Sequence, residues 1–296
     1  MFDALIFRPI FNVLSGIYAL LPGHDFGLAI IIFTIVTRFA MWPLLKKQLH
    51  QSRVMRKIQP EIKELKKKYA GDRRQESVAL MELYKRYGVN PFSSLGLLVI
   101  QIPVFLALFS ALRSIITDPH VLVERSYFFI EKLPHMQSIA DKTANFDPSF
   151  LGLVNMTDYA YKGGELVVGA MIIALLAGVF QFLQSKQLAP ERKKTKSIRE
   201  MMRDSKDGKE PDMTELNAAT ARRMTMLMPA LITLVAASSP AGLATYFAAG
   251  GIVGYLQQRT VFKHDVQEME EMKITTKVRT GVSATKKKGS SRNKGR

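Results

Sequence analysis

One guanidinium stands where hydropathy leaves little room for it. Arg38 interrupts the run from Phe26 to Leu45, 20 residues that otherwise carry no charge. Placing such a group at a helix centre in a bilayer costs about 2.5 to 3.5 kcal/mol on insertion scales, so its presence calls for compensation. Lys46 opens the next polar stretch eight residues on. At about 1.5 Å per residue, Arg38 lies roughly 12 Å inside that boundary. A long side chain snorkelling to the headgroups is one solution. The other is a water-filled recess among helices, lined by polar residues from neighbouring spans. Thr34 lies one turn before Arg38 on the same face, Gln101 lies mid-way along a second apolar run beside Pro103, and Gln181 and Gln184 close a third. Each glutamine alone reads first as a helix-to-helix hydrogen bond. Together with Arg38 they form a recess that favours an anionic visitor.

Other chemistries lack their residues. The 296 residues include no cysteine, which excludes a disulfide, a thiolate metal site and a Cys nucleophile. No GxxxxGKS/T phosphate loop, HExxH, GxSxG or dinucleotide fingerprint occurs. The five histidines, at positions 24, 50, 120, 135 and 264, lack metal-ligand spacing. The chain is therefore expected to be no enzyme and to need neither a metal nor another cofactor. A net charge of +17 raises nucleic-acid binding. Yet the cationic residues avoid the long apolar runs and crowd between them, which is the pattern of cytoplasmic loops beside a bilayer.

The elements that would hold Arg38 are spans. Five are expected, at about 26–45, 92–116, 166–183, 224–238 and 242–258, each read from apolar length. The last two follow from Ser238-Ser239-Pro240-Ala241-Gly242, a cluster of turn formers that reverses the chain. A single re-entrant hairpin is the alternative there. Charge counting sets the orientation. Residues 46–90 hold 13 Lys+Arg against 5 acidic residues and residues 186–223 hold 11 against 7, whereas 117–163 holds 4 against 6. The first two belong in the cytoplasm and the third outside. The expected fold class is thus an all-α polytopic membrane protein with five transmembrane helices, its N-terminus outside and its C-terminus inside.

This core is taken as 23–262; two regions flank it and a cytoplasmic hairpin is inserted within it. Residues 1–22 read as a short interfacial helix with Phe2, Ile6, Ile10, Val13 and Ile17 on one face. Without a basic cluster before it or a small-residue cleavage site after it, this run does not read as a cleaved signal peptide. Residues 46–90 read as a cytoplasmic helical hairpin. Ile58, Ile62, Leu65 and Tyr69 line one arm, Val78, Met81 and Tyr84 line the other, and Asp72 caps the second arm. The tail, 263–296, is basic and has little to bury, so it reads as disordered. Anionic lipid and ribosomal RNA are both suitable polyanions for it.

The segments Thr34-x-x-x-Arg38 with Met41-Trp42-Pro43-Leu44, IQPEIKELKKKY, MELYKRYGVNPFSSLGLLVIQIPVFLALF and MTMLMPALITLVAASSPAGLATYF occur in this order over roughly residues 1–262. In them the chain resembles the YidC/Oxa/Alb membrane-protein insertase family, in its compact bacterial form with a five-span core. The resemblance implies a hydrophilic groove open to the cytoplasm and to lipid but sealed outside. It places the family's intramembrane arginine on Arg38, its threonine on Thr34, its glutamine on Gln101 and its aromatic pair on Tyr246 and Phe247. Many members have a second tyrosine where this chain has Phe247, so that hydroxyl is missing. The implied function is insertion of hydrophobic segments of nascent proteins into the bilayer without nucleotide hydrolysis. The implied partners are nascent membrane proteins, membrane lipids, a ribosome touching the basic tail and cytoplasmic loops, and a Sec translocon. A small-solute or anion transporter using the same arginine is the alternative, although no internal repeat of the kind many transporters carry is visible.

Overall fold

The apolar runs fold as helices because a backbone surrounded by apolar groups must satisfy its N–H and C=O groups within the segment. The computed structural model describes residues 2–90, 93–188 and 227–263. They divide into two units, Met1–Tyr255 and Leu256–Arg296, and in the second the described residues 256–263 are helical. Most of the loop expected at 186–223 and nearly all of the tail expected at 263–296 lie outside the described residues.

Within the first unit, a π-helical turn Asp3–Phe7 leads into α1 (Arg8–Leu20), followed by α2 (Phe26–Ala40), α3 (Trp42–Lys57), α4 (Gln59–Lys68), α5 (Arg73–Arg86) and α6 (Ser93–Thr117). Three short helices follow, α7 (Val121–Glu124), α8 (Phe128–Glu131) and α9 (Pro134–Ala140). Two antiparallel two-stranded ribbons come next, β1 (Ser149–Phe150) with β2 (Val154–Asn155) and β3 (Tyr161–Lys162) with β4 (Glu165–Leu166). The unit ends with α10 (Val168–Leu188), α11 (Leu227–Ala237) and α12 (residues 241–255).

Among the described residues, Asp3–Leu20 and Val168–Gln187 are long and apolar enough to cross a membrane, and Gln101–Thr117 and Leu227–Ala237 are shorter apolar helices. The first expected span is not one straight rod. It breaks at Met41, and the two pieces meet at a 60° bend. Pro43 explains the break, since its missing N–H leaves the Phe39 carbonyl without its partner four residues on. Arg38 accordingly falls in the last turn of α2, nearer a helix end than an unbroken span would put it.

The largest core joins α1, α2 and α6 to the segments between α6 and α10, through Phe11, Leu14, Phe26, Phe33, Leu108 and Met136. A smaller core of Ala174, Ala177, Ala236, Ala244 and Ala248 lets α10, α11 and α12 approach closely. A third holds α4 against α5 through Ile58, Ile62, Leu83 and Val89. Asp72 caps α5 by accepting from the N–H groups of Arg74 and Gln75, both at 3.0 Å.

Two expected faces are revised. Along the π-helical turn and α1 the buried stripe is Phe7, Phe11, Leu14 and Tyr18, whereas Phe2 and Val13 point outward and Ile6, Ile10 and Ile17 are only partly covered. The helix is apolar on two sides, and the buried one lies against α2 and α6. On α5 it is Leu83 that is buried, while Val78 and Met81 are exposed. A spacing of three fits either face of so short a helix, and packing against Ile62 selects the one that holds Leu83.

Candidate functional site

The site begins with two side chains one turn apart on α2. That helix forms despite a run of β-branched residues because Asp25 caps its start, accepting from Leu28 N–H at 2.7 Å. The other Asp25 oxygen accepts from the Leu151 N–H at 2.5 Å, tying the β1–β2 ribbon to the same helix end. Thr34 is fully buried, and its hydroxyl donates to the Ile30 carbonyl at 2.7 Å. Its polar group is therefore used within its own helix, and its methyl group is what faces α12 near Gly250.

Arg38 lies across α12 where that helix has no side chains. A Cβ at Gly250 would stand 3.0 Å from Arg38 Nη2 and 3.5 Å from Nε, and one at Gly254 would stand 3.1 Å from Nη1. Two glycines four residues apart thus form a bare strip of backbone that admits a guanidinium. Gln184, buried on α10, reaches the same strip. Its Nε2 donates to the Gly251 carbonyl at 2.8 Å, and its Oε1 lies 2.9 Å from where a Gly254 Cβ would be. Arg38 and Gln184 therefore meet over Gly254.

A second pair continues the strip. Tyr246 precedes Gly250 by four residues, so Tyr246, Gly250 and Gly254 share one face of α12. The buried Tyr246 hydroxyl accepts from Gln101 Nε2 of α6 at 2.6 Å, and its phenol lies within electrostatic reach of Arg38. Phe247 is partly buried and stacks on Phe105 of α6, with ring centroids 5.6 Å apart. Gln181 is partly exposed on α10, three residues before Gln184, and is not one of the side chains these contacts join.

One end of this arrangement is closed by backbone. The reversal at Ser238–Pro240 exposes the first N–H groups of α12, which have no partner within the helix. Ala241 N–H donates to the Asp158 carbonyl at 2.7 Å and Gly242 N–H to the Met156 carbonyl at 2.9 Å. Tyr159 and Pro240 form a β-bridge beside them.

Comparison with known proteins bears on the whole of this assembly. The model of the 60Kd inner membrane protein family matches residues 17–269, which include every residue of the site. The chain belongs to that family. It is a multi-pass protein of the cell membrane, and apolar side chains such as Phe39, Leu106, Leu175 and Leu234 are exposed on the surface of its helices. A protein of Syntrophobacter fumaroxidans named membrane protein insertase YidC is 30% identical over 259 residues, 88% of this chain and 38% of that protein. Proteins with the same name from Rhizobium meliloti and Brucella melitensis are 29% and 27% identical over 265 residues, 90% of this chain. The chain spans about 38% of the length of the relatives it matches.

Two residues of the site escaped the sequence as functional candidates. Gly250 and Gly254 carry no side chain that chemistry could single out, yet what they admit is a charged side chain and an amide. The signal was present in the spacing of four that places both on the Tyr246 face.

Proposed function

We propose that the chain is a membrane-protein insertase: it moves hydrophobic segments of nascent proteins from the cytoplasm into the bilayer through a groove that contains Arg38. The observation that carries this reading is the guanidinium lying on the Gly250–Gly254 strip beside the Gln184 amide, a cation kept within a helix assembly of a membrane protein. The name borne by the relatives favours insertion over solute transport. The core comprises five spans with the N-terminus outside, so that α4 and α5 stand in the cytoplasm and the segment between α6 and α10 lies outside. The backbone contacts from Met156 and Asp158 to α12 then seal the groove on the outer face.

The work is divided between two forces. An acidic or polar group in the client's leading segment enters the groove from the cytoplasm, where the Arg38 charge and water lower the cost of taking it part-way across. At 4 Å, and at the effective dielectric of about 20 that suits a partly solvated site, the attraction to a carboxylate is about 4 kcal/mol before screening. That is enough to favour entry and too little to trap the client. The apolar stretch of the client meanwhile leaves for lipid, driven by about 25 cal/mol for each Å² of apolar surface removed from water. No nucleotide is consumed by the protein itself. Gln101, Gln181, Gln184, Thr34, Tyr246 and Phe247 line the route, the amides supplying donors and acceptors and the rings a smooth wall. Nascent chains and lipids are the direct partners. The basic tail and cytoplasmic loops meet the ribosome, and a Sec translocon associates with the assembly.

The test is insertion into vesicles by purified protein carrying Arg38→Ala or Arg38→Lys. Clients with acidic external tails should lose insertion with alanine and recover most of it with lysine, while clients with uncharged tails are spared. Equal insertion by wild type and Arg38→Ala for every client removes the role assigned to the cation.

A further inference from the structure

The segment after α6 carries an aromatic pair that packing does not use. Phe128 and Phe129 open α8, and each leaves 68% of its surface exposed. Their neighbours fix α8 firmly, so this exposure is a property of the fold. Ile130 is buried against α1, 3.4 Å from where a Cβ on Gly16 would stand, and the Tyr127 N–H donates to the Asn12 side-chain oxygen. Asn12 also donates to the Arg125 carbonyl at 3.2 Å. The two rings are thereby held beside α1, whose outward side carries Val13 and Leu20, with Leu20 71% exposed. Lys132 Nζ lies over the face of the Phe128 ring, 3.9 Å from its centroid, a cation–π contact that keeps the ammonium beside the aromatic pair.

We propose that Phe128 and Phe129 are a lipid anchor, set into the interfacial layer of the outer leaflet with the Lys132 ammonium at the level of the phosphates. Aromatic rings favour that layer, and lysine beside them extends its charge to the headgroups. Phospholipid is the occupant because the rings are exposed apolar surface on a short helix packed against the apolar α1 in a protein of the cell membrane. Burying them there fixes the depth of α1 and α8, and through Asn12 it fixes the attachment of the segment after α6 to α1. The leaflet named rests on the orientation given under the proposed function, whereas contact with lipid does not.

The chain has no cysteine, so single nitroxide labels can be placed at Phe128→Cys, Phe129→Cys and Asp141→Cys in the full chain. The protein is then reconstituted in vesicles of phosphatidylethanolamine and phosphatidylglycerol. Collision of each label with oxygen and with a water-soluble nickel chelate is measured by electron paramagnetic resonance. Both labels on α8 should favour oxygen, with the ratio reversed at position 141. Nickel access at 128 and 129 equal to that at 141 overturns the anchor, and so does shielding from both reagents, which marks a protein partner or a second copy over the rings. Modification of Asp141→Cys in intact cells by a membrane-impermeant maleimide reports the side independently. Oxygen contact at 128 and 129 with no external labelling at 141 upholds the lipid contact and overturns the leaflet.

Discussion

Gly250→Ala separates the fold from the function. The added methyl group would lie 3.0 Å from Arg38 Nη2, against an ordinary contact of about 3.5 to 4.0 Å, so the guanidinium must move by about 0.5 to 1 Å. The atom it meets is the far end of a flexible side chain, and shifting it off its preferred rotamer costs about 0.5 to 1.5 kcal/mol. Alanine in place of glycine within a helix returns about 1 kcal/mol. Global stability should therefore change by less than about 1 kcal/mol, with an unfolding midpoint in detergent close to that of wild type. The electrostatic effect is separate. Lengthening a 4 Å contact with a client carboxylate by this displacement at a dielectric of about 20 weakens it by about 0.5 to 0.8 kcal/mol, or about two- to fourfold in rate. Insertion rates into vesicles for clients with acidic tails should fall by that factor, and uncharged clients should insert as before. A variant that loses more than about 2 kcal/mol of stability, or that inserts acidic clients at the wild-type rate, refutes the idea that the bare strip serves Arg38.

Other positions give independent checks. A Cβ on Gly27 would overlap Phe150, with Cδ2 at 2.6 Å, so Gly27→Ala should detach the β1–β2 ribbon from α2 and lower stability by about 1 to 3 kcal/mol, measurable by thermal unfolding and by faster amide exchange at 149–155. His24 and His135 stack with centroids 3.3 Å apart, and burial, followed by the charge of His24, lowers the His135 pKa below the usual histidine value. Because the unfolded chain takes up the proton first as pH falls, this group's contribution is present above about pH 6.5 and is lost on acidification through its folded pKa. Unfolding midpoints should decline between about pH 7 and pH 5, and His135→Phe, which keeps a ring against Tyr18, should flatten the decline. An equal decline in both proteins rules out His135 as its source.

The helical, membrane-type character of the chain was legible because lipid leaves the backbone few alternatives, and apolar runs of this length declare it. Side-chain facing was less legible. On α1 the Phe7–Phe11–Leu14–Tyr18 stripe and the Phe2–Ile6–Ile10–Val13–Ile17 stripe are both apolar and both helical in period, and only the neighbouring α2 and α6 decide which one is buried. Val78 and Met81 were assigned inward on α5 for the same reason. The break at Met41 follows from Pro43 but is hidden from hydropathy, which sums across it. At the site, Arg38 was visible as a charge in an apolar run and Gln184 as a polar group in another, whereas Tyr246 entered only through the family resemblance. Their meeting over Gly250 and Gly254 depends on where side chains are missing, and residue chemistry does not register that. Gln181 has the same chemistry as Gln184, yet it is Gln184 that reaches the Gly251 carbonyl.

On the proposed function, a nascent membrane segment passes along the strip formed by Tyr246, Gly250 and Gly254 beside Arg38. Site-specific photocrosslinking of a ribosome-stalled client tests it most directly, with the photoreactive residue placed in turn at positions 34, 38, 101 and 246 and, for comparison, at the exposed loop position 141. Adducts at the four helix positions that move along the client as its stalled length increases are the predicted result. Adducts confined to the loop position, whatever the length of the client, would contradict the account.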